Sequence, residues 1–298
     1  MAHRTVLLHE VIESLQPKAG NVFVDATFGG GGHSMALAKV IEKKGCLIAF
    51  DQDASVFSEA VKHEFGALTK FTPVTANFRN VGEELKRLSV RRVNGIVFDL
   101  GLSSIQLEES GRGFSFQRDE PLTMTFKATP EKGDVTAEVI LNSWSEESIV
   151  VILRGFGEER YAERVAKAIV TARKLGPIRR TGELVEVIHQ ATPSRYHRGR
   201  THFATRTFQA IRMAANDELG AIERGIRGIM PFLSKRGRIA VITFHSVEDR
   251  MVKHLFREFV RIDYSARQIT KKPIVPSVNE LTENPRARSA KLRVIEKI

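Results

Sequence analysis

Short apolar runs alternate with amphipathic stretches over the first hundred residues. Asn21–Ala26 reads as a buried strand, Cys46–Phe50 as a second ending at Asp51, and Gly95–Phe98 as a fourth ending at Asp99. Phe71–Val74 is a weaker third, demoted by Pro73. Helical spacing fills the intervals at about His33–Ile41, Asp53–Phe65 and Asn80–Leu88. This alternation predicts βαβ units, a parallel sheet and right-handed crossovers, hence a doubly wound α/β layer.

The pattern breaks after Leu107. Gly111–Phe116 is loop-like, and from Thr136 the periodicity is helical without a strand-like run. Helices are expected from Ser145–Ser148 onward, with Ser143 or Ser145 as cap, over Tyr161–Val170, and from Thr181 through Ile188. The sheet pattern returns at Arg238–Phe244 after Gly237. A helix over Val247–Val260 and a last strand at Leu292–Ile295 follow. The simplest organisation is one discontinuous α/β domain, residues 1–106 and 207–298, interrupted by an all-helical insertion over 107–206.

With 298 residues, 42% hydrophobic and 27% charged, the chain has the composition of a soluble globular protein. No apolar run approaches membrane-spanning length, so no membrane partner is expected. The single cysteine, Cys46, lies in an apolar run and reads as core, which points to a reducing compartment. Met1–Thr5 leads into no signal-like stretch, and the expected location is cytoplasmic. The histidines show no metal-ligand spacing, so no metal is expected, and no nucleophile elbow supports a hydrolase.

The net charge of +11 favours polyanionic partners. Residues 154–213 hold 13 Lys/Arg against 5 Asp/Glu. Within them Arg195, Arg198 and Arg200, with Tyr196, His197 and His202, form a basic loop with interleaved rings, suited to phosphates and stacked bases. The tail residues Arg286, Arg288, Lys291 and Arg293 are a second candidate phosphate contact.

After the first strand comes Asp25-Ala26-Thr27-Phe28-Gly29-Gly30-Gly31-Gly32-His33. Glycines at a strand-to-helix turn let a ligand approach the backbone amides closely. Asp51, at the end of the second strand, can accept both hydroxyls of a ribose. The third glycine of the dinucleotide fingerprint is replaced by Ser34, and no Walker lysine follows. A cradle with acidic neighbours suits a cationic, phosphate-free nucleoside, and S-adenosyl-L-methionine fits. Asp99 can accept a hydrogen bond from an exocyclic amine and orient its nitrogen toward a sulfonium methyl.

Several blocks together resemble one family. They are Gly30-Gly31-Gly32-His33-Ser34, Asp99-Leu100-Gly101-Leu102-Ser103-Ser104 with Gln106-Leu107, and Arg112-Gly113-Phe114-Ser115-Phe116. Gly157–Arg160, Ala204–Ala210, Phe244–Arg250 and Asn284–Ala290 complete the set, from about Thr5 to Val294. The chain resembles the bacterial 16S rRNA cytosine-N4 methyltransferases of the MraW type. The resemblance implies a class I, Rossmann-like methyltransferase fold with an inserted helical, RNA-recognising domain. It implies S-adenosyl-L-methionine as methyl donor and N4 of cytosine 1402 in 16S rRNA of the small ribosomal subunit as acceptor. The family's cofactor contacts fall on Gly31, Gly32, His33, Asp51, Phe78, Asp99 and Gln106, with Phe78 on the adenine. Arg206 and His245 are further RNA candidates, His245 lining the base pocket or serving structure alone. A stacking ring for the base is left open among Phe114, Phe116 and the insertion, and oligomeric state is open, a homodimer included.

Two positions depart from the family. Leu122-Thr123-Met124-Thr125-Phe126 replaces a Leu-Asp-Met-Arg-Met segment, losing both charges, and Phe203 replaces a proline after His202. An alternative is therefore an rRNA-binding assembly factor with lost or altered methyl transfer.

Overall fold

The computed structural model describes residues 4–102, 107, 110–127 and 129–298. It divides into two compact units, Met1–Gly101 with Leu219–Ile298, and Leu102–Glu218. The second unit runs beyond the expected limit at residue 206. The helix Thr205–Asn216 packs on the helices Glu146–Gly155 and Ala137–Ser143, and its Phe208, Ala210 and Ile211 join their core.

In the first unit the described residues form a seven-stranded sheet. The strands are β1 (Val22–Asp25), β2 (Cys46–Asp51), β3 (Lys70–Thr75), β4 (Val93–Asp99), β5 (Leu233–Thr243), β6 (Ala266–Gln268) and β7 (Lys291–Lys297). Their order is β3-β2-β1-β4-β5-β7-β6. β1 to β5 pair in parallel, while β7 runs antiparallel to both β5 and β6. The expected last strand is thus present but reversed, and β6 was not expected: three residues are too few for a periodic signal. Pro73 pairs with Ala49 on the edge strand, where its missing N–H is tolerated.

Residues of period two feed two cores. Val24, Ile48, Phe50, Ile96, Phe98, Ile239 and Val241 pack with Ile222, Ile226 and Ile229 of the helix Glu218–Ile229. The alternate positions Phe23, Leu47, Ala49, Val97, Ala240 and Ile242 pack with Val11, Leu15, Leu37 and Ile41. Burial on both faces explains why these strands read as unbroken apolar runs.

The single helix expected over Asp53–Phe65 is two pieces. Asp53 Oδ1 accepts the Ser55 N–H at 3.0 Å and caps a 3-10 turn, Ala54–Val56. Ser58 then accepts the Val61 N–H at 3.3 Å and starts the helix Glu59–Leu68 afresh. The helices Gly32–Ile41, Val81–Arg87 and Ser246–Arg261 lie close to their expected places.

The second unit is helical: Ala137–Ser143, Glu146–Gly155, Ala162–Ala172, Thr181–Ala191 and Thr205–Asn216 surround Ile140, Ile149, Leu153, Val165, Ile169, Leu184 and Ile188. Ser145, not Ser143, is the cap, accepting the Ser148 N–H at 3.1 Å. Among the described residues no helix is long and apolar enough to cross a membrane.

Candidate functional site

The chain leaves β1 at Asp25, whose carboxylate is buried and immobilised. Oδ1 accepts the Thr27 N–H at 3.0 Å and Oδ2 the Ser34 hydroxyl at 2.7 Å. It thus holds the glycine turn at both ends. Gly31 closes the turn in the left-handed region, φ 74°, and a Cβ there would lie 2.9 Å from Phe28 Cζ. Glycine is required on both counts. Gly32 opens the helix Gly32–Ile41, and a Cβ on it would collide with the Thr5 hydroxyl. The space above Gly32 is therefore closed by the N-terminal segment, which the sequence reading left out of the site.

Asp51 ties the next strand end to this turn. Its Oδ2 accepts the Gly29 N–H and its Oδ1 the Asp53 N–H, both at 2.9 Å. Burial raises its pKa, those amides oppose the rise, and Asp53 adds to it. Each oxygen retains a lone pair, so the carboxylate can still accept ribose hydroxyls.

Asp99 ends β4 beside them. Its N–H donates to Thr27 Oγ1 at 2.7 Å, fixing β4 to the turn. Asp99 Oδ2 lies 3.6 Å from Nδ1 of the buried His33, whose Nε2 is 3.1 Å from the Val6 carbonyl. Asp99 Oδ1 is buried without a hydrogen-bond partner among the described residues. Such an oxygen costs about 1–3 kcal/mol unless something donates to it. Burial first, then the charges of Asp25 and Glu248, push the Asp99 carboxyl up to about 8. Burial likewise lifts Asp25 to about 6, with Asp51 contributing. Crowded carboxylates of this kind favour a cationic ligand and a donor for Oδ1. The residues present fit a nucleoside carrying positive charge.

Phe78 follows β3 in a turn capped by Asn77 and meets Phe98 edge-on, 5.6 Å between centroids. It is half-buried, so a ligand can use its remaining ring surface. Gln106 lies outside the described residues.

His245 is an N-cap. Its Nδ1 accepts the Glu248 N–H at 3.3 Å, while Glu248 Oε2 accepts the Phe244 and His245 N–H groups. Arg286 and Arg288 are exposed on the 3-10 turn Pro285–Ser289. Arg293 is not a phosphate contact. It is buried, with Nε and Nη2 at 2.6 and 3.1 Å from the carboxylate of Asp249, and Lys291 is 3.5 Å from the same group. Burial would raise Asp249, but the hydrogen bond and charge of Arg293, with Lys291, hold it below the usual carboxylate range. An inward position in β7 explains what tail composition could not indicate.

Within the helical unit, Arg195, Arg198 and Arg200 are exposed around the turn Ser194–His197. Arg206 is half-buried and its Nη1 donates to the Glu158 carbonyl. Tyr196 donates to both oxygens of Glu159 at 3.1 and 2.9 Å, and burial with that carboxylate lifts its phenol to about 12. Phe116 stacks on His202 at 4.4 Å, which continues through Phe203 and His197 to His189. Phe114 is instead buried and stacked on Phe126. Asp25, Thr27 and Val6 were not singled out as site residues. Asp25 and Thr27 stood in view in the glycine-turn motif, whereas Val6 carried no local signal.

A family model described as the MraW methylase family matches residues 1–298. The chain is 42% identical to the Ribosomal RNA small subunit methyltransferase H of Ruminiclostridium cellulolyticum, over 99% of both chains. It is 43% identical to the protein of that name from Heliobacterium modesticaldum, over 99% of this chain and 98% of the other. A solved rRNA methylase from Streptococcus thermophilus is similar over 100% of this chain and 99% of its own, at 10% identity and a TM-score of 0.44.

Proposed function

Because the chain belongs to the MraW methylase family, we propose that it methylates the exocyclic N4 of cytosine 1402 in 16S rRNA of the small ribosomal subunit. The broader statement, an S-adenosyl-L-methionine-dependent rRNA methyltransferase, follows from the family and its curated relatives. The observation that carries the finer reading is the buried Oδ1 of Asp99 beside the glycine turn, which has no hydrogen-bond partner among the described residues. An exocyclic amine is the kind of donor that oxygen lacks.

S-adenosyl-L-methionine supplies an electrophilic methyl group. Asp51 would hold the ribose hydroxyls, Gly31, Gly32 and His33 would contact the cofactor, and Phe78 would pack on the adenine. By the family resemblance, Gln106 would serve the methionine end of the cofactor or the target base. Asp99 would accept a hydrogen bond from N4 and turn the nitrogen lone pair toward the methyl; as the N–C bond forms and the methyl–sulfur bond breaks, leaving a neutral thioether, the Asp99 carboxylate would take the proton that N4 releases. A flipped-out cytosine is the required substrate geometry. Arg195, Arg198, Arg200, Arg206, Arg286 and Arg288 bind RNA phosphates, with the ring series from Phe116 to His189 available to bases. His245 contributes by capping its helix. The protein works in the cytoplasm, where subunits are assembled.

The departures at Thr123 and Thr125 bear on the alternative of an assembly factor. Thr125 is buried, and Arg112 Nη1 lies 2.9–3.2 Å from the carbonyls of Thr125, Phe126 and Lys127. Asn216 adds hydrogen bonds to the Met124 carbonyl and the Phe126 N–H. The segment is held without the family's charges, which favours retained activity.

The test is transfer of labelled methyl from S-adenosyl-L-methionine to small subunits lacking this modification, mapped by nuclease digestion and mass spectrometry. N4-methylcytidine at the decoding-centre position is expected. Cofactor binding without transfer would move the reading to the assembly factor.

A further inference from the structure

The two rims of the sheet carry opposite charge. At the carboxyl ends of β1, β2 and β4 stand Asp25, Asp51 and Asp99. At the other rim the two turns that lead into β2 and β4, and the irregular start of β5, are cationic. Lys43 and Lys44 precede β2, Arg91 and Arg92 precede β4, and Lys235 and Arg236 open β5. All six are exposed, and the one acid in these turns is Glu42. None of the six forms an ion pair with a carboxylate among the described residues; Arg92 donates only to the Pro231 carbonyl, at 2.8 Å.

The pairing register brings them together. Cys46 lies opposite Val22, Phe23 opposite Gly95, and Val93 opposite Leu233, so the turns occupy one edge of four neighbouring strands. At about 4.8 Å per strand that edge is roughly 14 Å long. Lys18, exposed ahead of β1, fills the middle. At the far side Lys297 donates to the Met230 and Leu233 carbonyls, and burial together with the charge of Arg92 pushes its ammonium pKa down. Like charges have been gathered here against their mutual repulsion, and none of the six has an ion-pair partner among the described residues.

We propose that this amino-terminal rim is a second RNA contact, binding phosphates of the ribosomal substrate at a distance from the modified base. It rests on the reading that the substrate is small-subunit RNA. The chemistry required is a polyanion with closely spaced charges. An anionic membrane fits less well, because these turns expose no large apolar side chain to enter it. Exposed lysines and arginines without directional partners read phosphate, not sequence.

The test is equilibrium binding of the full chain to small ribosomal subunits across a salt series. The variant is Lys44→Glu/Arg91→Glu/Lys235→Glu/Arg236→Glu, with the matching four-glutamine variant as the milder change. Loss of four phosphate contacts should make the slope of log affinity on log salt shallower by about 3–4 and weaken binding at least about 30-fold at low salt. Melting temperature and S-adenosyl-L-methionine affinity should stay at wild-type values. Unchanged slope and affinity in both variants overturn the proposal. So does weakened binding that tracks a loss of cofactor affinity, or a loss confined to phosphatidylglycerol vesicles. A wild-type protein that neither binds nor methylates subunits overturns the functional reading itself, and the rim proposal with it.

Discussion

His33 stands between Asp99 and the amino-terminal segment, with Nδ1 toward the Asp99 carboxyl and Nε2 toward the Val6 carbonyl. His33 Nε2 faces the Val6 carbonyl at 3.1 Å, and since a carbonyl brings no hydrogen, Nε2 must carry one. Nδ1 lies 3.6 Å from Asp99 Oδ2. The separation is slightly beyond a hydrogen bond, as is common at catalytic pairs before substrate arrives.

Asp99→Asn keeps the shape and removes the proton acceptor. Its single-turnover methyl transfer should fall roughly 10²–10⁴-fold, with S-adenosyl-L-methionine affinity changed by only about threefold. In the wild type, transfer should rise with pH through about 8, because Asp99 must be ionised to accept the amine hydrogen. The variant should lack that limb. A variant with full turnover would remove Asp99 from the chemistry.

The same carboxyls make stability fall with pH. Asp25 at about 6 and Asp99 at about 8 bind protons in the folded state that the unfolded chain has already released. Their contribution is complete below about pH 4 and is lost as pH rises through those folded values. The cofactor-free protein should therefore melt lower at pH 8.5 than at pH 6, and Asp99→Asn should recover roughly 2–6 °C at the higher pH. An Asp99→Asn protein melting like the wild type at pH 8.5 would contradict the assignment of strain to this carboxylate.

Cofactor affinity depends on the turn geometry. Gly31→Ala places a methyl 2.9 Å from Phe28 Cζ in a left-handed conformation, and Asp51→Ala frees the Gly29 N–H. Charged-group hydrogen bonds of about 1.5–3 kcal/mol correspond to roughly 10–100-fold weaker S-adenosyl-L-methionine binding for Asp51→Ala, read by calorimetry. Gly31→Ala should lose at least about tenfold.

Arg293 should behave as a structural residue. Removing it leaves Asp249 buried with Lys291 as its remaining ion-pair partner, and Arg293→Ala should destabilise by about 3–5 kcal/mol in urea unfolding. Arg286→Ala/Arg288→Ala should leave stability unchanged and weaken subunit binding. If Arg293→Ala unfolded like the wild type while losing RNA affinity, the buried pair would not be its role.

The parallel core of the fold could be read from the sequence because β1, β2 and β4 are buried on both faces and appear as unbroken apolar runs ending at carboxylates. The short β6 could not, and neither could the reversal of β7, since apolar spacing records burial and not direction. Asp51 and Asp99 were legible as candidates because each follows a strand. His33 was legible only as part of a motif; its partner Val6, 27 residues away, carries no pattern. Arg293 was misread for the same reason: charge counts do not distinguish an inward from an outward position on a strand.

The order of synthesis adds a consequence to the strand order. β4 pairs with β5, yet Asp99 and Leu233 are separated by the whole helical unit. About 130 residues must be made before β5 exists, which at roughly 5–20 residues per second is on the order of ten seconds. During that interval β4 is a bare strand edge on a nascent chain, a site at which foreign strands add. The helical unit is complete before the sheet is, and the carboxylate cluster around Asp99 gains Glu248 only later still. Slowing translation within Leu102–Glu218 therefore prolongs the exposure of that edge, and aggregation during expression, not loss of a contact in the finished protein, is where such a change would be felt.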